Sequence, residues 1–429
     1  MRFGTDGIRG RANEEITLEL AYRLGRAVAS VFSVPVFVGY DTRESSPSLA
    51  MAVLAGLRDG GATGVNLGYF TTPGVAVIAQ QRGGAGVVVS ASHNPYYDNG
   101  LKVLGVGGAK LDHFTEAAVE SALNVAEGPT SLEFDDVAID ESAEREYVDQ
   151  LRRLAPTDLS SLSIVVDCAN GAASHVAHEL FVATGAKLLM IHDSPDGRNI
   201  NEASGSTHVE SLIAQVLSSG ADLGLALDGD ADRLIAVDAE GTVRDGDDLM
   251  VLFALDRFER GVLGGGVVVT TMSNLGLRRA FDAVGIDIEE TDVGDRHVLL
   301  ALEEKSWLLG GEQSGHVIFR DVAPTGDGLL SGLMLAELIV RRGPLADIAG
   351  AAWRRVPQDL FSVSLDHFSD DVVQELFNEL LEIYAVHRDD VRLLVRPSGT
   401  EPLVRIMIEA LNAEFVEVFS ERLKALYTS

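Results

Sequence analysis

Two serines, a histidine and an Asn-Pro turn follow directly on an apolar run in the segment that ends at Pro95. The apolar residues 86–89 predict a buried strand, and the polar residues after them predict an exposed loop. A strand that delivers a hydroxyl, an imidazole and a carboxamide together is a usual way for an α/β sheet to present a nucleophile. We therefore predict that Ser92 is a covalent carrier; the alternative is that these residues only satisfy backbone groups in a turn.

A second apolar run, residues 223–227, ends in three carboxylates at alternate positions, Asp228, Asp230 and Asp232. Carboxylates this close repel one another unless a cation holds them, and oxygen ligands favour Mg²⁺ or a similar hard ion over zinc. The spacing also opens like an EF-hand, but Arg233 stands where that calcium loop needs glycine. A solvated acidic turn remains the alternative, although the adjacent arginine fits phosphate handling better.

A loop between two apolar runs near the C-terminus holds two arginines, two hydroxyl groups and a glycine. Guanidinium groups supply bidentate donors for a phosphate, the hydroxyls add two more, and the glycine lets backbone amides approach an anion. We therefore predict a phosphate-binding loop rather than an ordinary β-hairpin turn. Its residues are Arg396, Ser398, Gly399, Thr400 and Arg405.

A fourth polar loop interrupts apolar surroundings at Glu312, Gln313, Ser314 and His316. It could hydrogen-bond the hydroxyls of a sugar, although alone it would be read as a structural loop. Together, the four loops predict phosphoryl transfer on a phosphosugar, which depends on positioning and on neutralising the charge of the transferred group. The chain has no Walker loop and no kinase-type glycine loop, so a nucleotide is not indicated.

Apolar runs that read as strands alternate with helical stretches such as residues 49–57, and this alternation predicts βαβ units. We predict three successive α/β mixed-sheet domains and a C-terminal α+β domain around a central cleft. They are expected at residues 1–140 with the nucleophile loop, 141–240 with the metal loop, 241–352 with the sugar-binding loop and 353–429 with the phosphate-binding loop.

The composition narrows the class of protein. The chain has 429 residues, more than one hydrophobic core usually holds, and its net charge of −31 opposes binding to nucleic acid. No apolar run is long enough to span a bilayer and no signal peptide is evident, so we expect a cytoplasmic protein that does not bind membranes. Cys168 is the single cysteine and is expected to be a structural thiol.

Five motifs, in order and over essentially the full length, resemble the α-D-phosphohexomutase superfamily and within it the bacterial phosphoglucosamine mutases. They are Phe-Gly-Thr-Asp-Gly-Ile-Arg-Gly at 3–10, Ser-Ala-Ser-His-Asn-Pro at 90–95, Asp-Gly-Asp-Ala-Asp-Arg at 228–233, Gly-Glu-Gln-Ser-Gly-His at 311–316 and Arg-Pro-Ser-Gly-Thr at 396–400. Gln313 favours the aminosugar branch, because the mannose and glucose branch usually has methionine there.

The resemblance implies a phosphoryl group on Ser92, one Mg²⁺ per active site and a role for each loop. The metal ligands that it implies are Ser92, Asp228, Asp230 and Asp232. The catalytic residues that it implies are Arg9, Ser92, His93, Lys102 and His316. The substrate-binding residues that it implies are Arg233, Glu312, Ser314, Arg396, Ser398, Gly399 and Thr400, and the composition of the phosphate-binding loop adds Arg405.

The implied reaction interconverts glucosamine 6-phosphate and glucosamine 1-phosphate through a bisphosphorylated sugar, and feeds UDP-N-acetylglucosamine and cell-wall precursor synthesis. Hexose 1,6-bisphosphate is expected to activate the unphosphorylated enzyme. The alternatives are a phosphomannomutase or phosphoglucomutase, a metal-dependent phosphatase and a catalytically silent sugar-phosphate sensor. The expected partner is a small phosphosugar, and the protein is expected to be a monomer or a homodimer.

Overall fold

The computed structural model describes residues 7–155, 158–365, 368–397 and 402–427. The chain divides into two compact units, one made of residues 1–272 and 286–351 and the other of residues 273–285 and 352–429. Among the described residues, the first unit contains three mixed sheets and the second contains one antiparallel sheet.

The first sheet has the strands β1 (Ile8–Arg11), β2 (Val36–Tyr40), β3 (Gly64–Tyr69), β4 (Ala85–Val89) and β5 (Asp98–Leu104). Their order is β1-β5-β4-β2-β3, with β4, β2 and β3 parallel. Its helices are α1 (Leu18–Val31), α2 (Ser46–Asp59), α3 (Thr72–Gln81) and α4 (His113–Val125). The parallel strands β2 and β4 are buried along their whole length, as expected of strands covered on both faces.

The second sheet has the strands β6 (Ser163–Asp167), β7 (Lys187–Ile191), β8 (Leu223–Leu227), β9 (Leu234–Asp238) and β10 (Val243–Arg244). Their order is β10-β9-β8-β6-β7. The helices in this part of the chain are α5 (Ser142–Leu154), α6 (Ala173–Val182) and α7 (Glu210–Ser219). The fully buried β8 ends directly before the first of the three alternating carboxylates.

The third sheet has the strands β11 (Val267–Thr270), β12 (Ile288–Thr291), β13 (Leu309–Gly311) and β14 (Val317–Phe319). Their order is β12-β11-β13-β14, and β13 and β14 form an antiparallel hairpin. The helices around these strands in the chain are α8 (Gly246–Glu259), α9 (Leu275–Val284), α10 (Asp295–Lys305), α11 (Gly328–Arg342) and α12 (Leu345–Ala352).

The second unit combines α9 with the C-terminal part of the chain. Its other elements are β15 (Gln358–Ser364), α13 (Asp370–Ile383), β16 (Val391–Pro397), β17 (Leu403–Ala410) and α14 (Ala413–Tyr427). The strands are antiparallel in the order β15-β17-β16, and Ile406, Ile408, Phe415 and Phe419 are buried in the core beneath them.

The predicted class, α/β mixed sheets followed by a C-terminal α+β domain, is confirmed by these four sheets. The boundaries at 140, 240 and 352 stay predictions, although β10 continues the second sheet as far as Arg244. The central cleft also stays a prediction. In the part of the chain that the structure describes, none of the helices combines the length and the apolar character that crossing a membrane requires.

Candidate active site

Ser92 lies in the loop after β4, and its side chain is buried against the end of β8. Only 1% of the residue is exposed. Its hydroxyl donates to Oδ2 of Asp228 over 2.6 Å and lies 3.3 Å from Nδ1 of His93. Its φ of 53° is left-handed, a conformation that costs a residue with a side chain about 1 to 3 kcal/mol. The surrounding structure must therefore hold this loop in place.

The three carboxylates after β8 form one buried cluster. Asp228, Asp230 and Asp232 are 1%, 0% and 6% exposed, and they offer oxygens that lie within 4.8 Å of one another. Oδ1 of Asp230 and Oδ1 of Asp232 are buried without a hydrogen-bond partner among the described residues. Gly229 allows the loop to approach the nucleophile, because a Cβ there would lie 2.6 Å from the carbonyl oxygen of Ser92.

The pKa values of Asp228 and Asp232 are shifted in opposite directions. Burial, followed by the negative charges of Asp232 and Asp230, raises the pKa of Asp228 to about 8. Burial opposes ionisation at Asp232 as well, but Lys102, followed by His316, outweighs it and holds the pKa of Asp232 well below its usual range. Buried carboxylates with unsatisfied oxygens fit a hard divalent cation such as Mg²⁺.

Two side-chain donors bind the same oxygen of Asp230. The Lys102 ammonium, on β5, donates to Oδ2 over 2.7 Å, and the Thr72 hydroxyl, in the first turn of α3, donates to it over 2.5 Å. The backbone N–H of Thr72 also donates to the carbonyl of Asp230 over 3.0 Å. Because both side chains use Oδ2, Oδ1 of Asp230 has no hydrogen-bond partner among the described residues.

His93 lies beside Ser92, and its imidazole is affected by two arginines. Nη1 of Arg233 is 3.3 Å from Nδ1 of His93. Burial, followed by the positive charges of Arg233 and Arg9, lowers the pKa of His93 to about 4. The imidazole is therefore neutral near pH 7, and its Nδ1 can accept from arginine, which only donates. Arg9 lies on β1 opposite Gly100 of β5 and is exposed.

His316, in the hairpin between β13 and β14, is buried between two carboxylates. Its Nδ1 lies 3.7 Å from Oδ1 of Asp232, and its Nε2 lies 3.8 Å from Oδ2 of Asp295. Burial alone would lower the pKa of His316, but these carboxylates raise it to about 9. The side chain is therefore a charged imidazolium that can donate a proton.

The same hairpin carries the predicted sugar-binding residues. Oε1 of Glu312 accepts from the backbone N–H of Gly294 over 2.9 Å, and Glu312 is buried, whereas Ser314 is exposed. The hairpin is attached to the second sheet, because the N–H of Leu234 donates to the carbonyl of Gly315 over 3.0 Å.

The first unit contains most of the residues predicted to act in the site. They are Arg9, Ser92, His93, Lys102, Asp228, Asp230, Asp232, Arg233, Glu312, Ser314 and His316. Arg396 and Arg405 belong to the second unit, where they lie opposite each other in β16 and β17. Ser398, Gly399 and Thr400 lie outside the described residues. The individual roles stay predictions.

Sequence reasoning missed four residues that contact this site: Arg43, Thr72, Asn201 and Asp295. Arg43 follows β2 as Ser92 follows β4, so a polar cluster after a buried strand was an available signal. Thr72 follows β3 at the same distance, so the same signal was available for it. Asn201 and Asp295 follow no such pattern. They contact segments that are far away in the chain and that only the fold brings close.

Models of one protein family match all four segments of the chain. The family is described as phosphoglucomutase/phosphomannomutase. Its alpha/beta/alpha domain I matches residues 1–128, domain II matches residues 145–241, domain III matches residues 245–356, and the C-terminal domain matches residues 365–425.

Curated relatives match nearly the whole chain. A phosphoglucosamine mutase of Moorella thermoacetica is 43% identical over 97% of this chain and 96% of the relative. A phosphoglucosamine mutase of Desulforamulus reducens is 46% identical over 95% of this chain and 94% of the relative.

Solved structures share the fold at lower identity. A phosphoglucomutase/phosphomannomutase family protein of Burkholderia thailandensis matches with a TM-score of 0.79 and 24% identity over 98% of this chain and 96% of that one. The N-acetylphosphoglucosamine mutase of Aspergillus fumigatus, in complex with GlcNAc-6P and magnesium, matches with a TM-score of 0.69 and 18% identity over 99% of this chain and 95% of that one.

Proposed function

The chain belongs to the phosphoglucomutase/phosphomannomutase family, and we propose that it is a phosphoglucosamine mutase, which interconverts glucosamine 6-phosphate and glucosamine 1-phosphate. The observation that carries the proposal is the contact between the buried hydroxyl of Ser92 and a cluster of three carboxylates. The choice of sugar is supported by relatives of that name at 43% and 46% identity.

Ser92 would carry the phosphoryl group between turnovers. In the first step the bond from phosphorus to Oγ of Ser92 breaks and a bond to O1 of glucosamine 6-phosphate forms, while O1 loses a proton and Oγ gains one. In the second step the bisphosphate turns over, its 6-phosphoryl group passes to Oγ, and the proton moves back from Oγ to O6. Glucosamine 1-phosphate then leaves, and phospho-Ser92 is restored.

Two residues are candidates for these proton transfers, Lys102 and His316. The pKa of His316 is raised to about 9, mainly by Asp232 against the effect of burial. The imidazole is therefore protonated before the first step and is suited to donate the proton that Oγ of Ser92 gains. His93, with its pKa lowered to about 4, mainly by burial, stays neutral beside Ser92 and orients the side chains around it.

The acidic cluster would hold Mg²⁺ through Asp228, Asp230 and Asp232, together with a phosphoryl oxygen on Ser92. When bound, Mg²⁺ neutralises negative charge on a transferring phosphoryl group. Arg9 and Arg233 would add positive charge at the same place. A chain with a net charge of −31 needs such a local concentration of positive charge to attract a sugar phosphate.

The remaining assignments complete the proposal. Glu312 and Ser314 would bind sugar hydroxyls, and Arg396, Ser398, Gly399, Thr400 and Arg405 would bind the phosphate that does not react. Hexose 1,6-bisphosphate would serve as intermediate and activator. The product would feed UDP-N-acetylglucosamine and cell-wall precursor synthesis in the cytoplasm.

Two measurements test the proposal: the intact mass of the purified protein, and a coupled assay with Mg²⁺ and a trace of hexose 1,6-bisphosphate. We expect one added phosphate on Ser92 and a strong preference for glucosamine phosphate. A preference for mannose or glucose phosphate would keep the mechanism and change the substrate. Phosphate release without isomerisation would indicate a phosphatase. The absence of both phosphate on Ser92 and turnover would indicate a sensor.

A further inference from the structure

The loop that carries Ser92 is held through its carbonyl groups by a buried guanidinium. The side chain of Arg43 is 0% exposed, and its Nε donates to Oδ2 of Asp41 over 2.8 Å. Its other four N–H donors bind three backbone carbonyls of the loop after β4 and one at the start of β5, so that all five donors of the side chain are used. These carbonyls belong to Ser92, Asn94, Pro95 and Asp98.

A second side chain reaches the same loop from the segment after β7. The amide nitrogen of Asn201 donates to the carbonyl of Ser92 over 2.9 Å and to the carbonyl of Asn94 over 3.0 Å. Asn201 is 8% exposed, and its own backbone is left-handed, with a φ of 59°. The backbone N–H of Asn201 donates to the carbonyl of Ala169 over 2.9 Å, which attaches it to the loop that follows β6.

Both donors meet at the carbonyl of Ser92, where the metal loop also approaches. A Cβ on Gly229 would lie 2.6 Å from this oxygen and 2.9 Å from the amide nitrogen of Asn201. Fixing this carbonyl fixes the peptide plane between Ser92 and His93. The left-handed backbone of Ser92 is then held in one orientation, and so is the direction in which its side chain points. Direction matters, because a reacting atom misplaced by about 1 Å costs about 100-fold in rate.

We propose that Arg43 and Asn201 are positioning residues for phosphoryl transfer. They hold the carbonyl of Ser92 so that Oγ stays aligned with Asp228 while it gains and loses the phosphoryl group. The charge of Arg43 is balanced by its ion pair with Asp41, so its role is geometric rather than attraction of the substrate. The inference rests on the proposed function, because it concerns the step in which phospho-Ser92 reacts.

Asn201 offers a test with a matched control. Asn201→Asp keeps the size of the side chain and its tolerance of left-handed backbone, but replaces the donor amide by a carboxylate that only accepts. Asn170→Asp makes the same charge change at a residue that is 7% exposed with a φ of 48°. The side chain of Asn170 bonds to Asn199 and Ser194 instead.

We expect Asn201→Asp to lower kcat by about 10- to 100-fold while KM for glucosamine 6-phosphate changes by less than about two-fold. The ³¹P resonance of phospho-Ser92 should shift or broaden. Asn201→Gly, which adds no charge, should behave alike, and Asn170→Asp should leave kcat and the resonance at wild-type values. A merely structural role would lower the melting temperature without changing kcat or the resonance of the folded protein.

A wild-type kcat and resonance in both Asn201 variants, with phosphate on Ser92 shown by intact mass, would overturn the inference and leave the proposed function standing. Wild-type protein without phosphate and without turnover after priming would refute the proposed function and the inference with it. If Asn201→Asp does not fold, Asn201→Gly and Arg43→Lys decide the question through the same two readouts, because lysine keeps the charge but has only three donors.

Discussion

Ser92 and Asp228 are 136 positions apart in the chain, yet the Ser92 hydroxyl donates a 2.6 Å hydrogen bond to Oδ2 of Asp228. β4 delivers the serine and β8 delivers the aspartate, each as a fully buried strand of its own sheet. Functional loops of α/β sheets lie at the carboxyl ends of strands, and here two sheets present such ends to each other. The contact between the proposed nucleophile and the proposed cation site is therefore a product of tertiary packing.

Ser92→Ala tests the covalent step directly. We expect kcat for isomerisation to fall by at least about 1000-fold, because the acceptor of the phosphoryl group is gone. The fold should persist, since Arg43 and Asn201 bind the backbone carbonyl of this residue and not its hydroxyl. The coupled assay and the intact mass check the loss of isomerisation and of the phosphoryl group, and the melting temperature checks that the fold persists. Turnover close to wild type would refute the phosphoserine mechanism.

Thr72→Val tests how the acidic cluster is prepared for a cation. Valine keeps the shape and the backbone N–H but removes the hydroxyl that binds Oδ2 of Asp230. Groups that orient a metal ligand in this way contribute about 10- to 100-fold to affinity, so we expect Mn²⁺ or Mg²⁺ to bind about 10-fold more weakly in a calorimetric titration.

Thr72→Ser is the matched control, because it restores the hydroxyl and should bind the cation within about two-fold of wild type. Equal affinity in the valine and serine variants would show that the hydroxyl does not orient Asp230.

The sequence was sufficient to place a candidate residue where that residue follows its strand directly. An apolar run followed by polar residues located Ser92 after β4 and Asp228 after β8, because burial of a strand and exposure of its loop both leave a local pattern. Family membership predicted from the motifs is confirmed by the domain models and by relatives at 43% and 46% identity.

The sequence was insufficient where a residue acts on a distant segment. Asn201 binds carbonyls 109 and 107 positions away, and no local pattern specifies such a pair. The helix α9 lies in the predicted third domain but belongs to the second unit. The amide of its N-cap, Asn274, donates to the carbonyl of Val356 over 3.0 Å, and only tertiary contacts can reveal this.

Tyr147→Phe should destabilise the first unit. The Tyr147 hydroxyl donates to Oδ2 of Asp327 over 2.7 Å, and the two residues are 0% and 1% exposed. Phenylalanine would leave a buried carboxyl oxygen without this donor, at a cost of about 1 to 3 kcal/mol in the free energy of unfolding by urea. Tyr22→Phe is the control, because its partner Asp59 is exposed and water can replace the hydroxyl. An equal loss in both variants would show that burial of the acceptor is not the cause.

Asp256 supplies a pH-dependent contribution to stability. Burial alone would raise the pKa of Asp256, but hydrogen bonds from Arg341, Arg260 and Arg342 outweigh it and lower the pKa to about 2. A carboxyl with a lowered folded pKa stabilises the fold above its unfolded pKa of about 4, and this contribution is lost as the pH falls towards about 2. The contribution to the free energy of unfolding is smaller than the full pKa shift would give, because water screens these partly exposed arginines.

We therefore expect Asp256→Asn to lower the free energy of unfolding by about 1 kcal/mol at about pH 7 and by clearly less at about pH 3. Urea unfolding at both pH values measures this difference. Glu337→Gln is the control, because Glu337 approaches only Arg341 among the described residues, at 3.7 Å, and should change stability little at either pH. A loss in Asp256→Asn that is the same at both pH values would mean that packing, and not the charge of the carboxylate, stabilises this cluster of arginines.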